Sequence, residues 1–258
     1  MSSAEVWSGA CLIWVRAPEA STLALPGQFV MVRCGEGAVL RRPFSIHRVD
    51  GPDLALLFAV VGRGTGWLSQ RVKDDHLDLF GPLGTGFRVP SSPKNLLLVA
   101  GGIGIAPLVL LAEKALVCGH KVTLLLGGET GAKLYPGRLL PPGPRLVIAT
   151  EDGSVGERGL ATDLIPDLIS WADEVFACGP VPMYRAMAAM SAGLPKLASA
   201  QVLLEQMMGC GLGACRGCSI PTGSGQRSVC RYGPVFELGD VLWERVEGPG
   251  IGRRAFCD

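Results

Sequence analysis

Apolar residues fall in short clusters through the first third of the chain. Cys11-Leu12-Ile13-Trp14-Val15, Phe29-Val30-Met31-Val32 and the run from Leu54 to Val61 are separated by the turn clusters Pro26-Gly27, Gly35-Glu36-Gly37 and Asp50-Gly51-Pro52. Short strands at such spacing predict an antiparallel barrel or sandwich. The pattern changes after Pro90-Ser91-Ser92-Pro93. Asn95 to Ala100 reads as an apolar strand, followed by a glycine turn and a helical run from Ala106 to Cys118. Lys121 to Leu126, Arg145 to Thr150 and Glu174 to Cys178 repeat the strand signal with helical text between them. That alternation predicts βαβ units and a parallel sheet. From Gln201 onward glycine and cysteine density rises. The expected fold class is β plus α/β: an antiparallel β-barrel over 1–92, a parallel-sheet α/β domain over 93–200 and a small C-terminal module over 201–258.

The 258 residues suit that division. Hydrophobic residues at 48% against 18% charged exclude a disordered chain. Lys+Arg 24 against Asp+Glu 23 leaves +1, with no basic stripe, which argues against nucleic acid or an anionic membrane as the main partner. A mean hydropathy of +0.34 and the charge-free stretch Asn95 to Ala112 raise the question of a membrane span. Gly101, Gly102, Gly104 and Pro107 interrupt any single helix there, and a strand, turn and helix explain it better. Met1-Ser2-Ser3-Ala4-Glu5 lacks the basic start and apolar stretch of a secretory signal, so the expected location is cytoplasmic.

Cysteines stand at nine positions, and four of them crowd into the window Cys210-x4-Cys215-x2-Cys218-x11-Cys230. In a reducing compartment such crowding points to a metal rather than to disulfides. The first three share one loop, interleaved with Gly209, Gly211, Gly213 and Gly217. That spacing is the plant-type 2Fe–2S spacing. Glycines let the backbone wrap a compact cluster and aim N–H groups at its sulfurs, with Arg216 adding positive charge. A structural zinc site is the competing reading, although zinc ribbons usually pair two short CxxC knuckles. Cys11, Cys34, Cys118 and Cys257 read as buried or incidental thiols.

Two further stretches suit nucleotides. Gly101-Gly102-Ile103-Gly104 follows a buried strand and opens a helix, so a diphosphate can approach backbone N–H groups, or the glycines simply permit tight packing. Arg41-Arg42-Pro43-Phe44-Ser45 offers a guanidinium, a fixed extended backbone and a hydroxyl; its plain alternative is a solvated surface strand. Gly62-Arg63-Gly64-Thr65 reads as a phosphate turn or a capped helix start. Thr150-Glu151-Asp152-Gly153-Ser154, Cys178-Gly179-Pro180 and Tyr232-Gly233-Pro234-Val235-Phe236 complete an ordered set.

In that order the motifs resemble the ferredoxin–NADP⁺ reductase superfamily, and within it the electron-transfer subunits of NAD-dependent, type B dihydroorotate dehydrogenases. The resemblance spans nearly the whole chain. It implies FAD at the junction of barrel and α/β domain, with Arg42 on its diphosphate, Pro43 and Phe44 in the same motif, and Ser45 near the reactive flavin nitrogen. It implies that Leu57, Phe58 and Ala59 line the flavin and that Gly64 and Thr65 receive its phosphates. NAD(H) would dock on Gly101, Gly102 and Gly104, with Cys178, Gly179 and Pro180 near the nicotinamide; a buried strand-end thiol is the alternative for Cys178. Cys210, Cys215, Cys218 and Cys230 would ligate the cluster. In that scheme no residue need act as a general base, and no catalytic side chain is expected. The implied partner is an FMN-containing catalytic subunit that oxidises dihydroorotate to orotate, in a two-plus-two assembly, with electrons flowing towards NAD⁺.

Glu129, after the second sheet strand, can accept from a ribose hydroxyl and would repel a 2′-phosphate, which favours NADH; equally it reads as a solvated loop charge, and Arg138 downstream bears on the choice. His47, His76 and His120 have no ligand-like companions, and Asp152 and Asp163 read as loop and cap residues. Gln206 to Met208 read as core filler at the cluster–flavin interface. Two rival readings share parts of this pattern: a diaphorase-type subunit of a hydrogenase, sulfide dehydrogenase or transhydrogenase, and a non-enzymatic zinc-stabilised binding module.

Overall fold

The computed structural model describes residues 2–7 and 9–247, so Cys257 lies outside the described residues. Six antiparallel strands come first: β1 (Ser2–Trp7), β2 (Ala10–Arg16), β3 (Phe29–Val32), β4 (Arg42–Asp50), β5 (Asp53–Ala59) and β6 (Leu79–Leu83). They form one sheet in the order β1-β2-β5-β4-β3-β6, with helices α1 (Pro18–Leu23) and α2 (Arg63–Ser69) in the connections. Ile13, Val30, Val32, Ile46, Leu54 and Leu56 make its core. The expected strand through Val61 ends at Ala59. Val60 and Val61 are exposed, and the chain turns there into Gly62 at the start of α2.

The second sheet contains β7 (Asn95–Gly101), β8 (Lys121–Gly128), β9 (Arg145–Thr150), β10 (Glu157–Arg158), β11 (Glu174–Cys178), β12 (Gln201–Leu203) and a later strand. Leu96 to Ala100 of β7 are all apolar because the strand is covered on both faces. Leu96, Leu98 and Ala100 pack with α3 (Ile105–Val117), while Leu97 and Val99 pack with α4 (Ile165–Ile169) and α5 (Val181–Met190). The order is β10-β9-β8-β7-β11-β12, all parallel. Strands after β7 are added on one side up to β10, and then β11 and β12 are added on the other. The carboxyl ends of β7 and β11 therefore flank a topological switch point, the usual place for a ligand in such sheets.

The C-terminal segment is a hairpin, β13 (Ser219–Thr222) and β14 (Gly225–Ser228), followed by the short helix α6 (Val229–Tyr232) and β15 (Val235–Glu237). The last of these pairs antiparallel with β12 and closes the edge of the parallel sheet. The cysteine segment is thus flanked by two strands of the second sheet, β12 before it and β15 after it. It also touches the segment that follows β6: the Thr85 N–H donates to the Gly233 carbonyl at 2.6 Å. No described helix is long and apolar enough to cross a membrane.

Candidate functional site

At the switch point a cavity of about 710 Å³ opens, within the size range of cofactor sites. Its floor is two turns in backbone contact. A Cβ on Gly104 would lie 2.1 Å from the Cys178 carbonyl oxygen, and one on Gly101 would lie 2.8 Å from the Pro180 ring. Those two glycines are therefore required by close packing of the Cys178-Gly179-Pro180 turn. Gly102 differs: its φ is +55°, and nothing lies within 4 Å of where its Cβ would be. It leaves the open face over which a ligand can approach the backbone.

One wall carries Tyr184, whose hydroxyl donates to the Leu203 carbonyl at 2.5 Å and accepts the Gly179 N–H at 2.9 Å. Cys178, at the end of β11, is 1% exposed. Burial, then the neighbouring Glu205 carboxylate, push its thiol well above the usual range, which leaves it a protonated thiol rather than a nucleophile. Glu205 follows β12 and lines this cavity as an exposed residue. At another part of the wall, Glu129 and Glu151 place two carboxylates, and Lys133 pairs with Glu129. Sequence reasoning singled out Glu129 but missed Tyr184 and Glu205, and took Glu151 only as part of a motif. Asp152 and Asp163 are turn residues: Asp152 accepts from the Ser154 N–H and hydroxyl, and Asp163 from the Leu160 N–H.

The arginine motif lies on β4. Arg42 is exposed and Ser45 half-buried, whereas Phe44 and Phe58 meet edge-on at 5.2 Å inside the core of the first sheet. Leu57 is buried as well, so Phe44, Leu57 and Phe58 offer a ligand backbone rather than side chains, and Ala59 is half-buried beyond them. A Cβ on Gly64 would stand 3.6 Å from Arg42 Nε, so the structure brings Arg42 and the Gly64-Thr65 turn together. The Thr65 hydroxyl accepts from the Val61 and Gly62 N–H groups and braces that turn. The strand β5 packs against the Gly102–Gly104 turn, which joins this region to the cavity.

The cysteine loop sits on the same strands. A Cβ on Gly211, whose φ is +73°, would lie 2.7 Å from the Met31 side chain on β3. Met31 is the register partner of Pro43 on β4, one strand from the arginine motif. Cys218 and Cys230 lie 3.4 Å apart and buried, Cys210 is half-buried and Cys215 exposed. Backbone N–H groups converge on the sulfurs: Gly213 on Cys230 at 3.1 Å, and Leu212 and Cys215 on Cys210 at 3.4 and 3.5 Å. These donors pull the Cys210 thiol down to about 6, so it is largely thiolate near neutrality. The glycine-wrapped loop and its N–H donors to the sulfurs fit an anionic iron–sulfur cluster. Gln206 to Met208 separate: Met208 is buried, but Met207 is 73% exposed and is not core filler.

A family model for the iron–sulfur cluster binding domain of dihydroorotate dehydrogenase B matches residues 205–242. The dihydroorotate dehydrogenase B (NAD(+)) electron transfer subunit of Desulforamulus reducens is 42% identical over 88% of this chain and 90% of its own length. Its counterpart in Caldanaerobacter subterraneus is 38% identical over 84% of this chain and 87% of its own. The chain belongs to the dihydroorotate dehydrogenase B electron transfer subunit family. It is an oxidoreductase subunit that works with a catalytic subunit. The NADH-dependent reduced ferredoxin–NADP oxidoreductase, studied for flavin-based electron bifurcation, superposes with a TM-score of 0.85 at 28% identity, covering 94% of this chain and 88% of that one. A ferredoxin NADP⁺ reductase from Neisseria gonorrhoeae shares the fold, with a TM-score of 0.62 at 18% identity over 75% of this chain and 89% of that one. The diaphorase-type reading shares this fold; the electron transfer subunits above, nearer in sequence, separate it from the dihydroorotate dehydrogenase family.

Proposed function

We propose that this subunit carries electrons between NAD(H), a bound FAD and a 2Fe–2S cluster, and exchanges them with an FMN-containing catalytic subunit that converts dihydroorotate to orotate. Together these groups supply the conversion between two-electron hydride transfer and single-electron delivery. The observation that carries the reading is the junction itself. One block of strands bears the arginine motif, touches the open glycine turn through β5 and seats the cysteine loop through Met31.

In this reading Arg42, beside the Gly64-Thr65 turn, neutralises the flavin diphosphate, and Ser45 hydrogen-bonds the ring near its reactive nitrogen. Pro43 fixes the extended backbone between them. Leu57, Phe58 and Ala59 contribute the strand edge on which the ring rests. Gly101, Gly102 and Gly104 hold the pyridine nucleotide at the N-terminus of α3. Cys178, Gly179, Pro180 and Glu205 border the nicotinamide, while Glu129 and Glu151 favour a ribose hydroxyl over a 2′-phosphate. Cys210, Cys215, Cys218 and Cys230 hold the irons. The functional division is 1–92 for FAD, 93–200 for NAD(H) and 201–258 for the cluster, with β12 and β15 shared between the last two. The subunit acts in the cytoplasm in a two-plus-two assembly.

The test is anaerobic co-purification with the catalytic subunit, followed by cofactor assay and dihydroorotate-dependent NAD⁺ reduction. The reading predicts FAD, FMN and orotate formation coupled to NADH. Recovery instead with a hydrogenase or another iron–sulfur flavoprotein, without orotate formation, contradicts it.

A further inference from the structure

His47 follows the arginine motif by two residues, and nothing in its sequence context marks it. In β4 it is the extra residue of a bulge: Ile46 pairs with Leu56 and Arg48 with Ala55, so two steps on β4 meet one on β5. The bulge breaks the in–out alternation, leaving Ile46 and His47 both fully buried, and turns the imidazole away from the sheet. The ring crosses to the nucleotide domain. Nδ1 lies 2.8 Å from the Ala106 carbonyl oxygen, in the first turn of α3 just after the Gly101–Gly104 turn. A carbonyl can only accept, so Nδ1 carries the proton. Nε2 lies 3.0 Å from the Tyr135 hydroxyl. With the ring neutral, Nε2 accepts from Tyr135, whose hydroxyl has the Leu139 carbonyl oxygen as a more distant second acceptor at 3.3 Å. Leu134, beside Tyr135, fills the space where a Cβ on Gly128 would stand, and Gly128 lines the cavity. A second tie runs alongside: Arg48 and Glu113 pair β4 to α3 at 2.5 Å.

We propose that His47 is a positioning residue for hydride transfer, fixing the nucleotide turn against the strand of the arginine motif through its bonds to Ala106 and Tyr135. A hydride moves only between stacked rings at near-contact distance, so the relative placement of the two turns sets its rate. A buried hydrogen bond across the seam holds that placement more firmly than apolar contact alone, because shifting it leaves a buried carbonyl and imidazole unpaired. The proposal rests on the cavity being the nicotinamide site.

The experiment compares wild-type, His47→Leu, His47→Asn and Tyr135→Phe proteins loaded with FAD. Stopped-flow measures flavin reduction against NADH concentration, and absorbance titration measures the long-wavelength charge-transfer band of stacked nicotinamide and flavin. The expected result for His47→Leu is roughly a tenfold fall in the limiting rate and a weakened band, with flavin content and NADH affinity little changed. His47→Asn, which keeps a donor near the Nδ1 position, recovers most of both. Wild-type rate and band in folded, flavin-loaded His47→Leu would overturn the proposal. If His47→Leu does not accumulate, Tyr135→Phe decides: slowed transfer with full flavin content supports the proposal, and wild-type rate and band overturn it. A wild-type protein whose flavin NADH cannot reduce sinks the cavity reading itself, which is distinguishable from a failure confined to His47.

Discussion

The backbone of Gly104 packs so closely on Cys178 that an added Cβ would stand 2.1 Å from the Cys178 carbonyl oxygen and 2.8 Å from the Gly179 nitrogen. Both obstacles are backbone, at the carboxyl end of β11, and neither can give way locally. Gly104→Ala is therefore expected to push α3 away from β11, costing about 1–3 kcal/mol of stability and weakening NADH binding. Gly137→Ala is the control, since nothing lies within 4 Å of that position and its φ is not positive. Thermal melts and NADH titration of the two variants check this. Equal melting temperatures contradict the packing account.

Glu129 and Glu151 bring two negative charges to the cavity wall, with Lys133 offsetting one of them. A 2′-phosphate placed there meets net repulsion. Neutralising both in Glu129→Gln/Glu151→Gln frees Lys133 and is expected to raise the NADPH-to-NADH ratio of kcat/KM by roughly tenfold or more. Steady-state kinetics with an artificial acceptor measures it. An unchanged ratio would place the ribose elsewhere.

Burial is the main cause that lowers His47 from 6.5 to about 4, and nearby Arg48 adds to it, while the Ala106 carbonyl opposes. Tyr135 and the Arg48–Glu113 pair are the other groups facing the seam. Since the folded form releases the proton more readily than the unfolded chain, stability is full above pH 6.5 and falls as the pH drops towards about 4. The loss is on the order of 3 kcal/mol. Melting temperatures of wild-type and His47→Asn protein between pH 7.5 and 4.5 test it, and the variant's decline should be shallower. Parallel curves would assign acid sensitivity to other groups.

Cys215 is the exposed member of the sulfur quartet, and its N–H also supports Cys210. Cys215→Ser is expected to abolish electron delivery to the catalytic subunit while NADH-dependent dye reduction at the flavin persists in part. Equal loss of both activities would argue against sequential transfer.

Much of this was legible in the chain because it is imposed on the backbone. Buried parallel strands such as Leu96 to Ala100 must be apolar on both faces, and a turn that admits another backbone must be glycine, as at Gly101 and Gly104. Four thiols at a fixed spacing mark the same segment that the iron–sulfur cluster binding domain model matches. What escaped notice depends on tertiary placement. The strand β12 has three residues and abuts the cysteine module, so Glu205 did not read as the end of a parallel strand beside the cavity. A bulge has no sequence signature, and without it His47 looks like any strand residue. Val60 and Val61 carry strand-like side chains, but no neighbouring strand takes them up.

The central claim is that the cysteine loop seated on Met31 holds two irons within reach of a flavin bound at Arg42 and Ser45. Iron and acid-labile sulfide per FAD, in protein purified without oxygen, test it most directly. The account predicts about two of each per flavin, with a visible spectrum that NADH bleaches in both the flavin and the iron–sulfur regions. Material that holds FAD but neither iron nor labile sulfide would contradict it.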